Sequence, residues 1–153
     1  MGASRPRPRR RVVGSPLAAI LAMTALSAID ARAGSGAWGV WRTPVDGGSL
    51  VRLEACENDL CGRIVTSPHL RANPDQRDVR NRDPSQRGRA LSDLLVLKVR
   101  PTGPDSWGSG WAYNPEDGAT YKSVVQRKND HVLKVTGCIV RPFCATQIWT
   151  RAD

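Results

Sequence analysis

A chain of 153 residues with 23 Lys+Arg against 14 Asp+Glu has a formal charge of +9, a balance that would suit nucleic acid if it were spread over a fold. Residues 1–33 alone hold six of the basic residues and one acid, so the remaining 120 carry 17 basic and 13 acidic residues, a net of +4. That removes the case for nucleic acid and leaves enough chain for one domain with a single core.

The first element in chain order is a targeting segment. Arg5, Arg7, Arg9, Arg10 and Arg11 precede an apolar run from Leu17 to Ile29, and Ala31-Arg32-Ala33 supplies the small-x-small site of signal peptidase. Gly14, Ser15 and Pro16 shorten the run below the length of a spanning helix. No Cys lies within residues 1–33 to accept a lipid. Residues 1–33 therefore read as a cleaved signal peptide. Residues 34–153 form the mature domain, periplasmic or secreted, with no transmembrane anchor after cleavage.

After Ala33 apolar residues recur at intervals of two, and Gly, Pro, Asp or Asn interrupts nearly every stretch. This predicts eight strands, near 36–43, 49–56, 61–67, 93–100, 107–113, 119–127, 131–139 and 144–151. Val51, Leu53 and Ala55 share one face of the second; Leu95, Leu97 and Val99 share one face of the fourth. In the fifth, Trp107, Ser109, Trp111 and Tyr113 fall on one face and Gly108, Gly110 and Ala112 on the other. Short turns such as Asn114-Pro115-Glu116-Asp117-Gly118 join neighbours antiparallel. The fold class is all-β, an eight-stranded up-and-down antiparallel barrel with one long loop between strands three and four. A sandwich is the competing arrangement, since the long loop could cross between sheets.

Cys56, Cys61, Cys138 and Cys144 all lie in the mature part, and an even count in an oxidising compartment implies two disulfides. Four cysteines allow three pairings; the turn between each close pair favours Cys56 with Cys61 and Cys138 with Cys144. Zinc is disfavoured because neither C-x4-C nor C-x5-C has the usual tight spacing.

The long loop differs from the rest. Residues 68–90 hold Arg71, Arg77, Arg80, Arg82, Arg87 and Arg89 among Asp75, Asp78 and Asp83. These charges either neutralise one another in a folded lid or present cations to an anion. Calcium through Asp75, Asp78, Asn81 and Asp83 lacks the closing Glu of a calcium loop. Catalytic chemistry finds little support: Gly108-Ser109-Gly110 has no strand-to-helix setting, His69 and His131 stand alone, and Glu116-Asp117 belongs to a turn. No metal, no cofactor and no enzymatic activity are expected.

Several stretches together resemble a family of small exported bacterial proteins, domain of unknown function 2147. They are Gly36-Ala37-Trp38, Cys56 with Leu60-Cys61-Gly62-Arg63-Ile64-Val65, Asn73-Pro74-Asp75, Arg89-Ala90-Leu91, Tyr113-Asn114-Pro115-Glu116-Asp117-Gly118 with Thr120-Tyr121, Gly137-Cys138, and Gln147-x-Trp149-x-Arg151. The family usually has a second glycine where Ser109 stands. The resemblance implies a lipocalin-like barrel without assigning an activity. Gly36-x-Trp38 and Arg151 are also similar to the lipocalin signature, which implies that Arg151 covers Trp38 at the closed end, a structural device.

Two functions remain. One is a periplasmic barrel binding an apolar or amphipathic small molecule, with Trp107, Trp111, Tyr113 and Tyr121 and the loop residues Asn73, Asp75 and Arg89 as ligand contacts. The other is an envelope interaction protein whose Arg-rich loop contacts an acidic protein, glycan or lipid headgroup. On processing, intact mass of the exported protein should place its first residue at Gly34; a membrane-bound form retaining residues 1–33 contradicts the signal assignment.

Overall fold

The structure is a computed structural model and describes Gly2, residues 36–45 and residues 47–153. The predicted signal peptide, residues 1–33, lies outside the described residues apart from Gly2. Eight strands run β1 Gly39–Arg42, β2 Leu50–Cys56, β3 Asp59–Thr66, β4 Leu95–Gly103, β5 Ser106–Asn114, β6 Ala119–Asn129, β7 Val132–Val140 and β8 Phe143–Arg151. Each pairs antiparallel with its sequence neighbours, and β8 returns to β1, closing the barrel. The sandwich is thereby excluded. Closure satisfies the edges that an open sheet would expose. The seam is short, however: β1 meets β8 only at Trp41 opposite Arg151 and Arg42 opposite Thr150.

The connections alternate between the two ends. Tight turns after β2, β4 and β6 lie at one end; the β1–β2 loop, the segment 67–94 and the turns after β5 and β7 lie at the other. Within segment 67–94 sit a short helix, α1 Pro68–Ala72, capped by Ser67 Oγ accepting from Leu70 N at 3.1 Å, and a 3-10 turn over Pro84–Gln86.

The tight-turn end is filled. Trp41, Leu53, Leu60, Leu97, Val99, Trp107, Val125 and Leu133 are all essentially inaccessible, and each such side chain contributes roughly 1.5–3 kcal/mol by leaving water. Gly62 faces inward among them, where a Cβ would come within 2.9 Å of both Leu53 and Leu97. Two disulfides staple single hairpins, Cys56–Cys61 at the closed end and Cys138–Cys144 at the open end.

Arg151 locks the closed end, but not on the tryptophan expected. Its guanidinium carbon lies 4.4 Å from the ring centre of Trp41, while Trp38 is 42 % exposed. The reason is register: Trp41 sits directly across the seam from Arg151, so the two side chains share the inner face, and Gly39 at φ +126° turns the chain between the two tryptophans. Trp38 takes part only through its backbone. Arg151 donates to the carbonyls of Trp38 at 2.8 Å, Gly36 at 2.9 Å and Asp130 at 2.6 Å, and Trp41 Nε1 donates to Ala37 O at 2.8 Å.

Removing Arg151 takes away three charge-assisted hydrogen bonds and the aromatic contact at once. Arg151→Ala should therefore destabilise the fold by about 2–4 kcal/mol in urea denaturation, whereas Trp38→Ala should cost about 0.5 kcal/mol or less. Equal losses at the two positions would contradict this placement of the lock.

Candidate functional site

Above the packed layer of Trp41 and Trp107 the barrel is hollow. A cavity of about 710 Å³ opens at the long-loop end, within the range of small-molecule sites. Its walls are apolar, including Val51, Ile64, Val96, Ala112, Val135 and Trp149. Much of the space comes from small inward residues, Ala112, Gly137 and Ala145, which β-sheet register sets beside one another near Tyr121. Trp149 is held by its indole N–H donating to Gln147 Oε1 at 2.8 Å. Polar groups gather at the rim: His69 on α1, and Asn114, Glu116 and Asp117 on the β5–β6 turn.

The aromatic face expected on β5 does not exist as a single face. The pairing of β5 with β6 shifts between Trp107 and Gly110, with Ser109 at φ +51°. This bulge adds one residue and exchanges inside for outside along the strand. Trp107, opposite buried Val125, points inward and is consumed by the closed-end core. Beyond the bulge Ala112 shares the inner face with Tyr121, whereas Trp111 and Tyr113 lie opposite the exposed residues Lys122 and Thr120, on the outside. A second shift, between Gly62 and Arg63 on β3, sets Leu95 opposite Arg63 and leaves Val96 to line the cavity. Leu95 thus does not share the inner face of Leu97 and Val99.

Tyr113 meets the long loop instead. Its hydroxyl donates to the Asp78 carboxylate at 2.6 Å and accepts from Asn81 Nδ2 at 2.9 Å. Asn81 Nδ2 also donates to Asp78 at 2.8 Å, as does Arg89 Nε, and the Arg89 guanidinium lies 4.8 Å from the Tyr113 ring centre. Asp78 is 1 % exposed. A buried carboxylate without partners would be strongly unfavourable; with three donors it becomes a clamp that holds segment 76–91 against the outer face of β5. The other arginines are largely occupied within the protein. Arg87 donates to Asn81 O at 2.8 Å, Arg77 to Gly88 O at 3.2 Å, and Arg80 to Glu116 Oε2 at 2.8 Å. Gly118, at φ +66°, lies so close beneath the loop that a Cβ would sit 1.9 Å from Arg80 O.

A family profile described as "Uncharacterized protein conserved in bacteria (DUF2147)" matches residues 39–151. The chain belongs to this family. Among solved structures it is similar to the protein described as "Protein HP1028 from the human pathogen Helicobacter pylori belongs to the lipocalin family". The identity is 21 %, with 75 % of this chain and 82 % of that chain covered at a TM-score of 0.65, a likeness of fold. No curated protein matches the chain.

In this DUF2147 barrel the residues expected to contact a ligand are therefore dispersed. Tyr121 lines the cavity and Tyr113 reaches its rim. Trp107 belongs to the closed-end core, Trp111 to the outer face, and Arg89 to the Asp78 clamp. Asn73 and Asp75 form an exposed turn, in which Asn73 Oδ1 accepts from Asp75 N at 3.2 Å. The inward row Ala112, Gly137, Ala145, Gln147 and Trp149 was not assigned to a ligand site from the sequence: Gly137, Gln147 and Trp149 entered only through the family resemblance, and Ala112 and Ala145 are small residues that carry no chemical signal of their own. Among the described residues no group of three or more His, Cys, Asp or Glu side chains is placed to hold a metal. His69 Nε2 lies 3.6 Å from Glu116 Oε1, a pair at the rim.

The clamp sets a pH dependence. Burial, then the bonded Asp78 carboxylate, pushes the Tyr113 phenol up to about 12. A raised folded value means that the neutral phenol's contribution is complete below the unfolded value near 10 and is lost as pH climbs from there through about 12. The Tyr121 phenol is raised as well, chiefly by its hydrogen bond to Asp117. Absorbance titration should show no tyrosine ionising at its ordinary pH in the folded protein, with stability falling between pH 10 and 12. In Tyr113→Phe the Tyr113 share of that fall should disappear.

Proposed function

We propose that this protein is an exported, non-enzymatic barrel that takes an apolar or amphipathic small molecule into its open half. The observation that carries the reading is the cavity itself: about 710 Å³, apolar-walled, closed below by the Trp41 and Trp107 layer and open at the rim. Apolar walls beneath a polar rim suit a ligand whose hydrocarbon part descends toward Trp149 while its polar end stays near Asn114, Glu116 and His69. The description of the Helicobacter pylori relative as a lipocalin family member supports the same reading by fold analogy. Export to the periplasm or beyond is supported by the signal-like segment and by two disulfides in a small domain.

The acidic-partner alternative loses support from the hydrogen bonds of the loop. Arginines that already serve Asp78, Glu116 and backbone carbonyls have fewer donors left for an external anion.

A fluorescent fatty-acid probe should bind the mature protein, quench tryptophan emission through Trp149, and remain bound at high salt, since burial of apolar surface is nearly indifferent to ionic strength. Ala145→Phe, which fills the open half from an exposed position, should weaken the probe about tenfold or more. Neutral replacement of Arg77 and Arg87 should change its affinity little. A folded protein that leaves the probe free, or a probe displaced by salt, contradicts the proposal.

A further inference from the structure

The tip of the β7–β8 hairpin is apolar and bare. Ile139 is 72 %, Val140 59 % and Phe143 71 % exposed, and the Cys138–Cys144 disulfide closes the hairpin beneath them. Ile139 and Phe143 also line the cavity, so apolar surface runs without a break from the outside of the rim into the barrel. Soluble proteins seldom leave several large apolar side chains together on one protrusion without a use for them.

The hairpin's own charges have one sign. From Val132 to Arg151 the chain contains Lys134, Arg141 and Arg151 and no Asp or Glu. Arg141 sits in the tip itself, exposed, and exposed Lys122 of β6 stands opposite Cys138 on the outer face. Among the described residues, the acids of the β5–β6 turn that share the rim are engaged: Glu116 by Arg80 and His69, Asp117 by the Tyr121 hydroxyl. The shape matters too. A stable protein partner buries about 800 Å² of each side, far more than a convex two-residue turn and its flanking residues offer, whereas a fluid bilayer imposes no matching shape.

We propose that the β7–β8 hairpin docks the barrel mouth-first on an anionic lipid bilayer, Ile139, Val140 and Phe143 entering the headgroup boundary with Arg141 and Lys122 facing lipid phosphates. Resting on the small-molecule reading, the consequence is that an apolar ligand passes between bilayer and cavity without crossing water. The hydrocarbon path is continuous because two of the three inserted residues, Ile139 and Phe143, are also walls of the cavity.

The test is cosedimentation of the mature protein with phosphatidylethanolamine vesicles containing phosphatidylglycerol, beside vesicles of phosphatidylcholine alone, with probe binding measured in vesicle-free buffer. Wild type should pellet with the anionic vesicles, less so as salt rises. Val140→Asp, which lies off the cavity wall, should pellet about tenfold more weakly while its probe affinity in buffer stays unchanged. Lys122→Gln combined with Arg141→Gln should abolish the preference for the anionic vesicles. Wild type that binds the probe but ignores the vesicles overturns docking and leaves the cavity reading standing. Vesicle binding without probe binding supports docking and overturns the cavity reading. Self-association that Val140→Asp disperses, in place of vesicle binding, would assign the tip to a second copy of the chain and overturn the bilayer.

Discussion

One extra residue in β5 organises the barrel. At Ser109 and Gly110 the strand bulges, and a Cβ on Gly110 would fall 2.0 Å from the Lys98 carbonyl oxygen, so the close approach requires glycine there. Below the bulge the strand gives Trp107 to the core. Above it, the same strand turns its small residue inward and its tyrosine outward. Without that inversion Tyr113 and Trp111 would occupy the space that is now cavity, and the long loop would lose the hydroxyl that binds Asp78. Hollow interior and anchored loop are thus two results of a single shift in parity.

The anchoring of the loop follows from how a buried carboxylate behaves. Asp78 cannot be left without donors once β5 and the loop exclude water, and Tyr113, Asn81 and Arg89 answer from two different parts of the chain. This couples segment 76–91 to the barrel wall. Because the β5–β6 turn is held in turn by Arg80 and sits close beneath the loop at Gly118, the rim around that side of the mouth is built as one connected piece. The β7–β8 hairpin on the other side has a covalent staple instead.

Most of the fold was legible in the sequence because period-two alternation and turn residues are local signals. The eight strands fall within a few residues of where alternation sets them, and the turns between cysteines correspond to stapled hairpins. What alternation does not report is a change of phase. The Gly108-Ser109-Gly110 stretch marked a place for bending, yet which face Trp111 and Tyr113 occupy depends on a left-handed Ser109. The same blindness exchanged Leu95 for Val96. Trp38 was favoured over Trp41 for a reason of resemblance, and the seam register decided otherwise. The buried Asp78 was hidden among charges whose composition fits a solvated loop equally well; only the proximity of Tyr113, 35 residues away, distinguishes it.

The closed end has a property of its own. Arg151 recognises Gly36, Trp38 and Asp130 through carbonyl oxygens, which every amino acid possesses. The lock is therefore written chiefly in backbone, with the Asp153 carboxylate adding a side-chain acceptor at 3.1 Å. Substitutions at Trp38 and Asp130 can accumulate without loosening it, provided the chain path holds. Arg151, the Trp41 ring beneath it, and Gly39, at φ +126° and with a Cβ position 2.3 Å from Arg151 Nη1, are constrained by identity. Two barrels could share this closure and show almost no matching residues around it.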